Sequence, residues 1–371
     1  MKIGLNCQSF LKNCSAGIGR YAYNLVKSLS EIDRQNEYSL YVRRKIFDPK
    51  RKIPQFAADN FYIQVDYLGR GPAGVLKGLD VYHATSPEVL KVKSKKVVVT
   101  VHDVIHRAYP QGHTPQTIAE AERQFQDILP KADKIICVSR HTLNDLKRFY
   151  PINEKKMALV YQGVDKDIFY PLGEYELNPA RAAIRTRGIM DPFLLFVGTI
   201  EPRKNLTGIV RAFHILKSRR KFSGKLVIIG MPGWMNAPVF DLIEEFGLKA
   251  DILFPGYLSN ADLCYFYNLA EVFVFPSFYE GFGFPIVEAF CCGAAVVTSN
   301  VSSCPEVAQD AALVVDPNDP EDIARAIDRI LVNKELKEHL KQKALHRALD
   351  FSFVNTAKNT LRVYWEGRVG E

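Results

Sequence analysis

The sequence predicts two doubly wound, Rossmann-like α/β domains in tandem, and three observations predict it. Short apolar strand segments alternate with helical segments along the chain, the pattern of parallel sheets with helices on both faces. At residue 193 the alternation begins again with a core strand, after a stretch of breakers that includes Tyr170-Pro-Leu-Gly and Asn178-Pro179. The length, 371 residues, suits two domains of roughly 100–200 residues each.

Taken in order, the strand candidates of the first half are Lys2–Cys7, Tyr38–Val42, Phe61–Val65, Val81–Ala84, Val97–Val101, Lys134–Val138 and Met157–Tyr161. A first helix is marked from residue 20 onward by Ala22, Leu25, Val26, Leu29 and Ile32 at helical spacing. Tyr170 to Pro179 shows no strand pattern and is read as the start of the linker. Beyond it come strands at Phe193–Val197, Lys225–Ile229, Ile252–Phe254, Val272–Phe275, Ala294–Thr298 and Ala312–Val315. Helices between them include Leu206–Arg219, Asn236–Glu245, Pro285–Cys292 and Asp322–Asn333. The predicted domains are therefore 1–180 and 181–355, with a C-terminal helix at about 356–371 packing back on the first. No repeat of 20–50 residues and no low-complexity tract appears. In such pairs a ligand is expected in a central cleft, where the carboxyl ends of both sheets meet.

Composition narrows the function classes. Apolar residues at 47% and charged residues at 24% are ordinary for a globular chain. No apolar run approaches the ~18 residues a membrane span needs. Met1-Lys-Ile-Gly-Leu-Asn lacks the apolar core of a signal peptide, so a cytoplasmic location is expected. Seven cysteines form an irregular set without a C-x-x-C pair or zinc spacing, which reads as free thiols in a reducing compartment. The net charge of +8 lies wholly in the first half: residues 1–180 hold 27 Lys and Arg against 19 Asp and Glu. Its clusters are Arg43-Arg44-Lys45, Lys50-Arg51-Lys52 and Lys91, Lys93, Lys95 and Lys96. They fit a solubilising surface, or peripheral attraction to an anionic partner such as the inner membrane leaflet or a diphosphate-linked lipid. With no aromatic interleaving and no binding motif, nucleic acid is not an expected partner.

The densest chemistry lies in Phe273-Val-Phe-Pro-Ser-Phe-Tyr-Glu280-Gly281-Phe282-Gly283-Phe-Pro285-Ile-Val-Glu288. A buried strand runs into a glycine-bearing turn, and Pro285 sits where a first helical position should be. Such a turn lies at the carboxyl edge of a sheet, where glycines let backbone approach a ligand and a helix N-terminus favours a diphosphate. Glu288 is read in the first helical turn, and with Glu280 it supplies carboxylates that accept from sugar hydroxyls. A second stretch, Phe193-Leu-Leu-Phe-Val-Gly198-Thr199-Ile200-Glu201-Pro202-Arg203-Lys204-Asn205, puts a basic pair between a strand end and a helix start. That charge suits a diphosphate as it leaves.

Through these residues the chain resembles the retaining GT-B glycosyltransferases of family 4, a large group that includes bacterial mannosyl- and glucosyltransferases. The resemblance rests on Glu201-Pro-Arg-Lys-Asn205 and Glu280-Gly-Phe-Gly-Phe-Pro-x-x-Glu288, and extends nearly end to end. Further matches are Met1-Lys-Ile-Gly-Leu-Asn with Gly17-Ile-Gly19-Arg-Tyr, Val101-His102-Asp103, Cys137-Val-Ser139-Arg-His, Gln162-Gly-Val-Asp165 and Ser302-Ser-x-Pro305-Glu306. It implies a GT-B fold with an acceptor-side first domain and a donor-side second domain. The implied reaction moves a hexose, with retention and without metal, from a UDP- or GDP-hexose to a polysaccharide or lipid-linked glycan. The nucleotide sugar is a substrate, and no cofactor is expected. Arg203 and Lys204 would hold the diphosphate with backbone amides of Phe282 and Gly283, and Glu288 the ribose. Glu280 would stand by the transferred sugar, and His102 and Asp103 at the reacting centre. Gly17 and Gly19 would form a loop closing on the donor, and the base would lie near Gly256-Tyr257-Leu258. One departure is Thr199, where many relatives carry arginine.

Other motifs read less specifically. Gly17-Ile-Gly19-Arg-Tyr-Ala22 also spells the dinucleotide fingerprint, but Gln8 to Ala16 separate it from the preceding strand, too far for a pyrophosphate turn. Asp165-Lys-Asp167 spells D-x-D and is read as a structural turn. Ser139, His141 and Asp145 match a hydrolase trio in composition only, without nucleophile-elbow glycines. His106, His113 and His141 are weaker polar candidates. The rival functions are a nucleotide-sugar epimerase or sugar phosphorylase on the same fold, and a non-enzymatic sugar-binding protein. An epimerase would turn over donor alone, a phosphorylase would need a cofactor lysine or free phosphate, and a binding protein would need no basic pair.

Overall fold

The computed structural model describes residues 1–9, 17–44, 54, 56, 58–190, 192–256 and 258–366. The chain divides into two compact units, Met1–Gly163 with Ser352–Glu371, and Val164–Phe351.

The first unit is built on strands β1 (Lys2–Asn6), β2 (Glu37–Arg43), β3 (Phe61–Asp66), β4 (Leu79–Ala84), β5 (Ser94–Val101), β6 (Lys134–Cys137) and β7 (Met157–Leu159). They form one sheet in the order β3-β2-β1-β4-β5-β6-β7, and each adjacent pair is parallel. Every strand expected from the sequence is present, with ends that differ by one to three residues. The run Val97-Val-Val-Thr-Val101 is buried throughout, because a parallel strand is covered on both faces. On one face Ile128, Leu129 and Leu146 pack with Val99, Val101, Ile135 and Cys137. The helices Pro115–Lys131 and Arg140–Phe149 that supply them are capped by Thr114 and Ser139, whose hydroxyls accept from the Thr117 and Thr142 amides. Ser139 is thus a helix cap and not part of a hydrolase trio.

The first helix, Gly17–Ile32, begins ahead of the expected residue 20 and buries Tyr21, Ala22, Leu25, Val26 and Leu29. The C-terminal helix Phe353–Trp365 packs against it and against β6. Lys96 fixes that helix: its ammonium donates to the carbonyls of Val363 (2.6 Å) and Tyr364 (3.1 Å) and to that of Glu366. These are carbonyls that a helix end leaves without intrahelical partners. Part of the basic cluster at 91–96 is therefore structural. Lys95, too, pairs with Asp80 at 2.9 Å. A buried polar line ties the same elements together: Tyr21 Oη to Thr100 (3.0 Å), Thr100 to His83 Nε2 (2.8 Å), and His83 Nδ1 to Tyr364 Oη (2.6 Å). Burial, with His102 nearby, pushes the His83 imidazole down to about 3.

The second unit carries β8 (Phe193–Val197), β9 (Lys225–Ile229), β10 (Ile252–Gly256), β11 (Val272–Phe275), β12 (Val296–Ser299) and β13 (Leu313–Val315). They form a parallel sheet in the order β10-β9-β8-β11-β12-β13. In both sheets the strand order reverses once, between β1 and β4 and between β8 and β11. Doubly wound sheets bind ligands beyond the carboxyl ends at such a reversal.

The unit boundaries differ from those read in the sequence. They fall at Gly163/Val164 and Phe351/Ser352, not at 180/181 and 355/356. The reason is that Glu174–Arg185, expected as part of a breaker-rich linker, is a helix with Pro179 inside it. Glu176 accepts from the Gly173 amide at its start, and buried Ala180 and Ile184 line a helix that packs on the helix Asn260–Leu269. Asn268 ties the preceding segment down, accepting from the Leu172 amide and donating to the Tyr170 carbonyl. Tertiary packing here outweighs the local cost of proline. The cysteines Cys7, Cys137, Cys264, Cys291, Cys292 and Cys304 are free and buried, and Cys14 lies outside the described residues. Among the described residues no helix is long and apolar enough to cross a membrane.

Candidate functional site

In the second unit the two chemistry-bearing stretches meet at the strand-order reversal. β8 ends at Val197 and β11 at Phe275, and these strands are neighbours. A 3-10 turn, Pro202–Lys204, follows β8, and Asn205 closes it in the left-handed region at φ 56 while capping the helix Leu206–Ser218. Its Oδ1 accepts from the Gly208 amide at 3.1 Å; its Nδ2 donates to the carbonyls of Pro276 (3.1 Å) and Pro317 (2.6 Å). One side chain thereby ties the loops that follow β8, β11 and β13.

Arg203 and Lys204 are held by carboxylates. The Arg203 guanidinium reaches Glu201 Oε1 through Nε at 2.7 Å and Glu280 Oε2 through Nη1 at 2.8 Å. Lys204 Nζ donates to Glu280 Oε1 at 2.5 Å and lies 4.8 Å from the centre of the Phe275 ring. Lys204 and Glu280 are each only 6% exposed. Burial alone would push the Glu280 carboxyl up, but Arg203 and Lys204 together outweigh it and hold the group below the usual glutamate range. Two basic side chains and two carboxylates thus meet at the ends of β8 and β11.

The Glu280–Gly283 turn is clamped from the far side. Ser302 accepts from the Glu280 amide at 3.1 Å, and the Ser303 hydroxyl donates to the carbonyls of Glu280 and Phe282, both at 2.9 Å. Gly283, at φ 102, caps the helix Phe284–Cys291, a backbone conformation that side chains rarely adopt. Its amide has no partner among the described residues and stands at a helix N-terminus, where an anion is favoured. Phe282 is buried, with its ring edge-on to Phe284 and Phe351.

Two readings are corrected here. The helix starts at Phe284, so Pro285 is its second residue and Glu288 lies in the second turn, not the first. The Glu288 carboxylate is 2% exposed and accepts from Tyr267 Oη at 2.9 Å. Gly17 and Gly19, expected in a loop, both lie in the first turn of the helix Gly17–Ile32, Gly19 buried and Gly17 at φ 51. At the expected base position Leu258 is buried, and Tyr257 lies outside the described residues.

In the first unit His102 and Asp103 follow β5 as expected. His102 Nε2 donates to the Thr85 carbonyl at 2.9 Å, which fixes the proton on that nitrogen and makes Nδ1 an acceptor. Gln162 Nε2 donates to it at 3.0 Å. Burial holds the imidazole below its usual range, so it is neutral at pH 7. The ring packs edge-on to Tyr21, 4.8 Å between centres. Asp103 Oδ1 accepts from the Ile105 amide at 3.1 Å. His106 is a core histidine, bonded to Tyr150 Oη at 2.7 Å and packed on Phe125. Asp165 closes its own turn through the Asp167 amide at 3.1 Å.

Residues 183–347 match the family described as Glycosyl transferases group 1, and residues 15–168 match Glycosyltransferase Family 4. The chain is also similar to O-antigen chain mannosyltransferase B of Escherichia coli, 30% identical over 369 residues that span 94% of this chain and 95% of that protein. The chain belongs to glycosyltransferase family 4. Among solved structures this glycosyltransferase is similar to sucrose-phosphate synthase from Thermosynechococcus elongatus, at TM-score 0.77 and 21% identity over 98% of each chain. It is similar also to HepE of Anabaena in complex with UDP and glucose, at TM-score 0.72 and 16% identity over 99% of this chain and 100% of that one. Those likenesses show the fold, GT-B, with two Rossmann-like domains.

Within the transferase, sequence reasoning had quoted Glu201, Asn205, Gln162, Ser302 and Ser303 inside motifs without assigning them work. Their spelling beside the assigned residues was the available signal. Asn6 stood in the Met1–Asn6 motif in the same way, and Thr85 and Glu88 carried no signal.

Proposed function

We propose that this transferase moves a hexosyl group, mannosyl by analogy with the name of its E. coli relative, from a GDP- or UDP-sugar to a hydroxyl of a polysaccharide or lipid-linked glycan. The observation that carries the reading is the Arg203–Lys204 pair beside the Gly283 helix start, at the strand reversal of the second unit. Those groups suit the donor diphosphate, with Glu280 assigned to the transferred sugar and Glu288 to the ribose. His102, Asp103 and the first unit serve the acceptor side and the reacting centre.

In the proposed step the acceptor hydroxyl attacks the anomeric carbon on the face that the nucleotide leaves. The new carbon–oxygen bond forms as the bond to the phosphate oxygen breaks. That bond's electron pair stays on the phosphate oxygen, which takes the acceptor's proton. Retention follows, and no residue need be a covalent nucleophile. Arg203, Lys204 and the helix amides stabilise the charge that develops on the nucleoside diphosphate. The protein's own cations fill that role without a metal ion.

The test is thermal shift and transfer in EDTA with GDP-, UDP- and ADP-sugars, on the wild type, Lys204→Ala and Glu288→Ala. A selective shift that both variants lose names the donor, and Lys204→Ala lowers kcat by roughly 100-fold or more. An inverted product by NMR, or activity only on adding metal, would sink this mechanism.

A further inference from the structure

The first unit's own strand reversal lies between β1 and β4. β1 ends at Asn6 and β4 at Ala84, and the loop that follows β4 carries Glu88. Asn6 Nδ2 donates to Glu88 Oε2, and Tyr82 Oη donates to Glu88 Oε1 at 2.5 Å. From there a continuous polar line runs along the carboxyl edge. The Thr85 hydroxyl donates to the Asn6 carbonyl at 2.7 Å, His102 Nε2 to the Thr85 carbonyl at 2.9 Å, and Gln162 to His102 Nδ1 at 3.0 Å. At its far end Gln162 Oε1 is buried without a hydrogen-bond partner among the described residues.

Glu88 differs from the unit's structural carboxylates. Asp66 accepts from the Arg70 and Gly71 amides as well as Tyr41, and Asp33 from the Gln35 and Asn36 amides as well as Asn36 Nδ2 and Tyr38. Those two cap turns. Glu88 accepts from two side chains, one at each oxygen, and from no backbone amide among the described residues. Each oxygen keeps a lone pair for a further donor. The residue is half-buried at this edge. Burial pushes its carboxyl above the usual range, and another hydroxyl donated to it would ease that cost. A carboxylate repels a diphosphate but accepts readily from neutral hydroxyls. We propose that Glu88 is an acceptor-binding residue, whose carboxylate takes hydroxyls of the acceptor sugar at the carboxyl edge of β1 and β4. The proposal rests on the transferase reading above, on its acceptor side only.

The test uses the full chain and the variants Glu88→Gln, which keeps the shape, and Glu88→Ala. Octyl α-mannoside, octyl α-glucoside and octyl β-N-acetylglucosaminide serve as acceptor probes. Both variants are expected to keep the nucleotide-sugar thermal shift and the acceptor-independent donor hydrolysis within about twofold, while acceptor KM rises about tenfold or more and kcat changes less. Saturation-transfer NMR with the glycosides alone reads the same site without donor, and signals seen with wild type should fade in Glu88→Gln. Unchanged acceptor KM and NMR signals would overturn the proposal. So would binding of none of the three glycosides by wild type, or donor hydrolysis and melting temperature falling in step with transfer. A wild type that binds glycosides but no nucleotide sugar would instead overturn the donor assignment and leave Glu88 standing.

Discussion

Lys204 carries a positive charge where water barely reaches, and Glu280 answers it at 2.5 Å. Removing one side of a buried pair costs about 3–5 kcal/mol, whereas replacing both with apolar groups is often neutral. Lys204→Ala should therefore lower the melting temperature and nucleotide binding together, while Lys204→Met with Glu280→Leu restores the first and not the second. Calorimetry with and without nucleotide sugar separates the two effects; recovered binding in the double variant would remove the pair from the site. A pH dependence follows from the same residue. Because Glu280 is held below the usual glutamate range, its ionisation favours the folded state at neutrality. That contribution is lost as pH falls through about 4.3 toward the depressed folded value. Below about pH 4.5 the wild type should lose stability more steeply than Glu280→Gln, and equal slopes in an acid titration would contradict the ion-pair account. At this scale the meeting of Arg203 and Lys204 with the Glu280 turn was legible, because glycine, proline and charge stand together at strand ends. Glu201 as the second partner of Arg203, and Tyr267 as that of Glu288, were not, because spelling records no side-chain direction.

Among the elements, the strands were the most legible and the helix ends the least. Fully buried runs such as Phe193–Val197 announce themselves, since a parallel strand must be apolar on both faces. The helix Lys334–Arg347 buries only Leu340 and Ala344 and offers little periodicity to read. The helix Glu174–Arg185 was masked by its own proline. Gly163 marks where a segment of the first unit meets the start of the C-terminal helix. A Cβ there would stand 2.1 Å from the Phe353 nitrogen and 2.3 Å from the Ser352 carbonyl carbon. Those are backbone atoms and cannot swing aside, so Gly163→Ala should cost about 1–3 kcal/mol in urea denaturation. An unchanged midpoint would mean the two segments can part without loss.

As a whole molecule, the transferase joins two doubly wound units whose first is completed by the chain's last helix. That helix covers the apolar face of Gly17–Ile32 and is held by Lys96 and by Tyr364 through His83. Deleting 352–366 should speed amide hydrogen exchange across Gly17–Ile32 and β6, while exchange in Leu206–Ser218 changes little. Equal acceleration in both units would show that they do not keep separate cores. The sequence by itself determined the tandem doubly wound plan and the strand ends at which glycine, proline and charge gather. Burial and period act within a few turns of chain, and a run of residues displays them wherever it later packs. Only the tertiary structure decided the strand order, with its reversals at β1/β4 and β8/β11. It alone set Lys204 against Glu280 across 76 residues and His83 against Tyr364 across 281. Such contacts form when the chain closes on itself in space, and no local propensity encodes which distant partner will arrive.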